Sequence, residues 1–310
     1  MKAFVALTDF DWFSHVSSMP DIDELNFWQA SGGRSFRALK PGEPFLFKLH
    51  SPHDVIVGGG FFAHSTALPV SFVWDIFGEK NGANSLSQMR TRIARYRREQ
   101  SPPTRDHQIA CILLEHPFFF HRHGWIPVPD DWRPHIGHGK GYDLTTGSGK
   151  KLWEDVEVRL QATADLYSEA LKAAEEAVRY ELPIRVTPRL GQASFRLVVT
   201  DAYGRRCAVT KERALPTLEA THIKPVTEGG PHSVTNGILF RADVHKLFNS
   251  GYVTITPDCH FEVSRRIRED FESGQDYYTM HGRTLHLPSK KALHPAKDFI
   301  AWHNENIFRR

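Results

Sequence analysis

The sequence predicts an α+β protein with three successive parts: a β-barrel-type domain, a long connecting helix and a strand–strand–helix domain. Three observations carry that prediction. Residues 1–150 hold short apolar runs of strand length, separated by Gly, Pro and Asn turn signals. Residues 151–185 place Val156, Leu160, Ala164, Tyr167, Leu171, Ala174 and Val178 at steps of three and four, the period of an amphipathic helix, before Pro183 stops it. Residues 186–310 contain the stretch TLEATHIKPVTEGGPHSVTNGILFRADVHKLFNSG at 217–251, which has the pattern of a hairpin followed by a short helix.

Composition narrows the function classes. At 310 residues the chain has room for two ordinary cores. No run approaches the roughly 20 apolar residues of a membrane span, which argues against a membrane partner. The start, MKAFVALTDFDWF, lacks the basic opening and long apolar core of a signal peptide, so a cytoplasmic location is expected. Cys111, Cys207 and Cys259 are odd in number and form no C-x-x-C pair; neither a disulfide framework nor a four-cysteine zinc site is expected. The net charge of +3 is too small to signal nucleic-acid binding by itself. Its distribution says more. Arg90, Arg92, Arg95, Arg97 and Arg98 fall in one helix-like stretch and are expected to contact a DNA backbone. Arg265, Arg266 and Arg268 form a second cluster, for which a solvated helix face is an equal reading.

In the N-terminal part, strands are expected at 3–7, 45–49, 55–57, 61–63 and 109–114, with a Pro41-Gly42 turn before the second. Gly58-Gly59-Gly60, in the middle of strand territory, marks a bulge or the close approach of another backbone. The stretch WDIFGEKNG at 74–82 offers only the Asn81-Gly82 turn signal. His121, His123, His135 and His138 match no standard metal spacing, and their segment reads as a loop that finishes the domain. The connecting helix either packs on one domain or forms the seam of a homodimer. Further on, 277–288 has a hairpin-like pattern, and a final helix is expected over 295–308.

The chemistry concentrates in 217–251. A strand over 218–223 ends at His222, Pro225 and Gly229-Gly230 force a turn, and Asn236-Gly237 opens the return over 238–240. Asp243 is placed to cap a helix on which His245 and Asn249, four apart, share a face, and Gly251 sits where the helix should stop. A histidine on a strand opposite a histidine on a helix suits metal-assisted phosphodiester hydrolysis. One neutral imidazole takes a proton from water, and a ligand-held divalent cation stabilises charge on the phosphate.

With Cys207-Ala208-Val209-Thr210, Leu218 to Pro225, Asn236-Gly237-Ile238-Leu239 and His245 to Gly251, the segment resembles the ββα-metal finger of HNH endonucleases, especially the restriction-type branch. The separations of His222 from Asn236 and from His245 fall in that family's range. The resemblance implies His222 as general base, Asn236 as the brace that orients it, His245 as a metal ligand, and Mg²⁺ or Mn²⁺ as cofactor. Many HNH enzymes carry an acidic ligand just before the first histidine, and this chain has Thr221. Three sources remain open for the missing ligand: Thr221 through its hydroxyl, backbone or a water, Glu219 reaching in, or Asn249.

A second resemblance covers about residues 1–120. Trp28 to Phe36 (WQASGGRSF), the turn Lys40-Pro41-Gly42-Glu43, then FLFKL and VGGGFF are similar to the PUA superfamily, in particular its EVE and ASCH-like members. That implies a reader that flips a base into an aromatic pocket. Trp28, Trp12 and Phe47 are the candidate walls; Ser31, Arg34 and His50 are the candidate polar contacts. Membership of the core is the competing reading for Phe47 and Trp12. Together the two resemblances imply a modification-dependent endonuclease, similar to type IV restriction enzymes, acting on double-stranded DNA that carries modified cytosine. The alternatives are an HNH restriction enzyme that reads unmodified sequence, and an inactive binder of modified nucleic acid.

Overall fold

The computed structural model describes residues 1–32, 36–98, 106–162 and 190–310 fully and 163–173 by backbone alone. Arg34 and the connector residues Ala174, Val178 and Pro183 lie outside the described residues, as do the side chains of Ala164, Tyr167 and Leu171. The chain divides into two compact units, Met1–Pro188 and Arg189–Arg310.

The first unit runs β1 (Lys2–Thr8), α1 (Phe10–Ser17), β2 (Glu24–Gln29), β3 (Pro44–Leu49), β4 (Val55–Pro69), α2 (Val70–Phe77), α3 (Leu86–Arg97), β5 (Gln108–Phe119), β6 (Ile126–Pro127), β7 (Gly139–Asp143) and α4 (Gly147–Ala173). Its strands form one mixed sheet in the order β2-β5-β4-β3-β1-β7, with β6 also on β4. β1 and β3 pair in parallel and the other pairs are antiparallel. Among the described residues β2 and β7 do not pair, so the sheet is open rather than a closed barrel.

Two expected strands and the glycine triplet between them are one strand, β4. The triplet allows close approach: a Cβ on Gly58 would lie 2.3 Å from the Phe118 carbonyl oxygen, and one on Gly59 would lie 2.7 Å from that of Phe45. Register shifts at Gly59/Phe61 and Phe62/His64 bulge the strand in the same region. The His-rich segment read as a loop contains β6 and β7, and β7 pairs along β1 from Lys2↔Asp143 to Ala6↔Gly139. Glycines and lysines hide that strand, because it borders the sheet and needs little apolar surface. The core of this unit is aromatic, with Phe27, Phe45 and Phe47 packed against Trp12 and Phe13.

The second unit runs α5 (Gln192–Ala202), β8 (Leu218–His222), β9 (Gly237–Arg241), α6 (Ala242–Asn249), β10 (Val253–Ile255), β11 (Phe261–Val263), α7 (Arg266–Phe271), α8 (Gln275–Tyr278) and α9 (Lys297–Asn306). The hairpin-like 277–288 segment forms no hairpin: Tyr277 and Tyr278 belong to α8, and Thr284 makes a single bridge to His260. Asp243 also differs from expectation. Arg241 is the N-cap residue of α6, and Asp243 in the first turn takes its guanidinium at 2.7 Å on both carboxylate oxygens. Gly251 adopts φ +78°, and Tyr252 and Gly251 donate backbone hydrogen bonds to Leu247 and Phe248. That is a Schellman stop, which only a residue tolerant of positive φ completes cheaply.

Candidate functional site

β8 and β9 pair from Leu218↔Arg241 to His222↔Gly237, and α6 follows at once. The long connection is held by Asn236, which has no exposed surface. Its Oδ1 accepts from the Lys224 amide at 2.9 Å, and its Nδ2 donates to the carbonyls of Lys224 (2.9 Å) and Pro231 (3.0 Å). The loop closes so tightly that a Cβ on Gly230 would sit 1.9 Å from the Lys224 carbonyl oxygen. Beneath it, Cys207 supports the finger, its Sγ accepting from the amides of Thr210 (3.4 Å) and Arg241 (3.3 Å).

Successive strand residues face opposite sides, so β8 carries two clusters. On one side, the His245 Nδ1 meets a Glu219 carboxylate oxygen, and its Nε2 lies 2.9 Å from the Asn249 Nδ2. The Thr221 hydroxyl donates to the Asn249 Oδ1 at 3.1 Å. Glu219, Thr221, His245 and Asn249 are thus one bonded chain across β8 and α6. On the other side, His222 stacks on Phe195 of α5, with centroids 3.8 Å apart and planes 9° apart. Its Nε2 lies 3.1 Å from the Nδ1 of His232. Burial, and secondarily the neighbouring His232, push the His222 pKa down to about 4, so the ring is neutral at neutral pH. The two clusters are linked through the strand: Thr221 and His222 are consecutive, and the Thr221 hydroxyl lies 3.3 Å from the His222 carbonyl oxygen.

Among the described residues no group of three or more His, Cys, Asp or Glu side chains comes together. The donors around His245 are instead one imidazole, an amide, a hydroxyl and a nearby carboxylate. This oxygen-rich set suits a hard divalent cation such as Mg²⁺ or Mn²⁺. A carboxylate on Nδ1 is also the usual partner that leaves the Nε2 of a metal-binding histidine free of its proton.

The reader candidates are arranged differently. Phe47 has no exposed surface and lies in the core, where its ring edge meets Trp12 at 5.2 Å between centroids. Trp12 is itself buried. The indoles of Trp12 and Trp28 donate to the same acceptor, the Asn81 carbonyl, at 3.1 and 2.9 Å. Asn81 is fully buried, and its side chain is held by Asn26 Nδ2 and the Gly78 carbonyl, both at 2.9 Å. Half-buried Trp28 turns its ring against Tyr96 of α3 in a T-shaped contact. Ser31, three residues after Trp28, is exposed, and exposed His50 lies 3.9 Å from an Asp9 carboxylate oxygen.

The arginine cluster separates by partner. Arg97 points inward, donating to the carbonyls of Ala30 (2.9 Å) and Gln108 (2.7 Å). Arg92 donates to the Gly82 carbonyl, and Arg90 lies 3.4 Å from Asp106. Arg95 and Arg98 are exposed. Arg92, Arg95 and Tyr96 line a cleft of about 220 Å³ whose other wall is Asp9, Phe10 and Asp11. The Tyr96 hydroxyl donates to Asp9 across it. Sequence reasoning missed this cleft, along with Asn81 and His232. Phe10 and Tyr96, large rings left exposed, only become noticeable once burial is known.

Residues 207–256 match the family model described as HNH endonuclease. No curated protein matches the chain. Among solved structures, an ASCH protein from Zymomonas mobilis is similar at 11% identity, covering 49% of this chain and 94% of that one, with a TM-score of 0.34. A mutant form of the same protein gives 12% identity, 50% and 98% coverage, and a TM-score of 0.34. The modification-dependent TagI restriction endonuclease is similar at 12% identity, covering 97% of this chain and 81% of that one, with a TM-score of 0.28. Residues 207–256 of this chain are an HNH endonuclease domain, and the protein is a nuclease.

Proposed function

We propose that the protein is a modification-dependent DNA endonuclease: residues 1–150 read a flipped, modified cytosine and residues 186–310 hydrolyse the backbone. The observation that carries the nuclease half is His222, neutral and fixed flat against Phe195 on a strand whose loop is locked by Asn236. A neutral imidazole held in one plane takes the proton from an attacking water with no prior deprotonation step. Asn236 keeps the loop, and with it His222, in place. His245, Asn249 and Thr221 would hold a divalent cation, with Glu219 orienting His245. When bound, that ion supplies charge stabilisation at the scissile phosphate and the leaving oxygen.

The reader half is supported by the cleft beside Trp28. Phe10 and Tyr96 offer stacking faces, carboxylates at Asp9 and Asp11 suit the exocyclic amine of cytosine, and Arg95 suits its carbonyl and ring nitrogen. Stacking on such faces offsets the few kcal/mol of unstacking a base. Exposed Arg98, outside the cleft lining, is the member of the arginine cluster proposed to touch phosphate. A homodimer would set two single-strand sites on one duplex. Sedimentation with and without a modified duplex tests that part.

The deciding experiment uses duplexes carrying cytosine, 5-methylcytosine, 5-hydroxymethylcytosine or its glucosylated form, in Mn²⁺ at low salt. Cutting confined to modified duplexes is the expected result and identifies the base. Equal cutting of all four would leave the nuclease and remove the reader. Binding without any cutting would point to an inactive binder.

A further inference from the structure

The Gly229-Gly230-Pro231-His232 corner of the finger brings a second imidazole to His222. The His222 Nε2 and His232 Nδ1 are 3.1 Å apart, with ring centroids at 4.9 Å and planes crossing at 73°. Phe195 holds both rings: flat against His222 at 3.8 Å and edge-on to His232 at 5.8 Å. His232 is in turn held by its own backbone. Asn236 Nδ2 donates to the carbonyl of Pro231, the residue just before it, and Ser233 just after it donates to the same carbonyl at 2.9 Å.

Two nitrogens at this distance share one proton, and its owner matters. If His232 donates, the His222 proton sits on Nδ1, and His222 has no lone pair left for water. If His222 donates from Nε2, its Nδ1 is bare, and among the described residues no hydrogen-bond partner engages that atom. We infer that His232 is a positioning residue for catalysis: its Nδ1 accepts the Nε2–H of His222, fixing the tautomer in which His222 Nδ1 accepts a proton from water. The proton balance is simple. Water gives a proton to Nδ1, the hydroxide oxygen bonds to phosphorus as the bond from phosphorus to the departing oxygen breaks with its electron pair on that oxygen, and the imidazolium keeps its Nε2–H bond to His232 until the Nδ1 proton leaves to solvent or to the departing oxygen. This also gives Asn236 a physical route to His222, through Pro231 and His232, rather than a direct contact.

The inference rests on His222 being the base, so the test carries a His222→Ala arm. Single-turnover and steady-state cleavage of whichever duplex the enzyme cuts are compared for wild type, His232→Leu, His232→Asn and His222→Ala. His232→Leu should lower kcat about 10- to 100-fold with KM unchanged, the range seen when a partner that orients a working histidine is lost. His232→Asn, whose Oδ1 also accepts from Nε2–H, should recover most of that loss. Histidine-selective ¹⁵N NMR of the wild-type protein should show His222 protonated at Nε2, a measurement that does not depend on any variant folding. Wild-type kcat in folded His232→Leu, or a wild-type His222 protonated at Nδ1, overturns the inference while His222→Ala stays inactive. Wild-type cleavage by His222→Ala removes the base assignment, and this inference with it.

Discussion

The HNH finger and the cleft between Phe10 and Tyr96 solve the same problem, holding polar groups in place, at very different chain distances. In the finger the tying bonds span 10 residues for His222–His232, 12 for Lys224–Asn236, 26 for Glu219–His245 and 28 for Thr221–Asn249. Around the cleft they span 53 for Trp28–Asn81, 69 for Trp12–Asn81 and 87 for Asp9–Tyr96. Short loops cost less entropy to close, so a finger can be specified by its own residues. The cleft has to be assembled by a sheet that orders strands β2, β5, β4, β3 and β1 side by side. The units also bury ionisable groups of opposite response. Glu115 faces Glu24 across the β2–β5 pair, and burial followed by that neighbour push its carboxyl up to about 7. His303, stacked on Phe248 and bonded to Thr254, is pushed down to about 4 by burial.

The largest expected effect tests the finger alone. His222→Ala should lower the cleavage rate about 10²- to 10⁴-fold while leaving DNA binding within a few-fold, as read by nicking and by gel shift on one duplex. Equal losses in both assays would mean that His222 holds the substrate instead. Asn236→Ala comes next. It leaves the Lys224 amide and two carbonyls without their partner, which costs roughly 2 to 4 kcal/mol. Calorimetry should show one melting transition falling and the other unmoved; a common shift would mean that the two units melt as one.

The pH response sharpens the same contrast. His303 has a depressed pKa in the folded state, so its contribution is full above about pH 6.5 and is lost as pH falls toward 4. Glu115 has a raised one, so its contribution is full below about pH 4.5 and is lost as pH rises through 7. Each is worth up to about 3 kcal/mol at 1.36 kcal/mol per unit. From pH 7.5 to 5, the transition of Arg189–Arg310 should therefore move down and that of Met1–Pro188 up. Glu115→Gln should abolish the second movement; its persistence would place the titrating group elsewhere. The smallest effect is that of Trp28→Phe, which keeps a ring and loses the bond to Asn81. At about 1 kcal/mol, preference for a modified duplex should fall several-fold with the cutting rate at saturation unchanged. An unaltered preference would separate Trp28 from the reader.

By itself the sequence determined the hairpin, the helix and the stop of 217–251, because each is set by local chemistry. Turn residues close the loop, the i,i+4 spacing puts His245 and Asn249 on one face, and Gly251 alone accepts the conformation that ends α6. The sequence also marked β1, β3 and β5, whose apolar runs are long enough to read. It misplaced what depends on partners far away. β7 looks like a loop until β1 supplies its hydrogen bonds, and for Phe47 only the closing of four strands and α1 over it decides between the pocket-wall and core readings that the sequence allowed. Asn81 looks like a turn residue and is a buried hub, because two indoles that lie distant in sequence converge on its carbonyl. Periodicity and turn signals report on a chain's neighbours in sequence. Burial, shared acceptors and the meeting of His222 with His232 are decided by neighbours in space, and only tertiary packing supplies those.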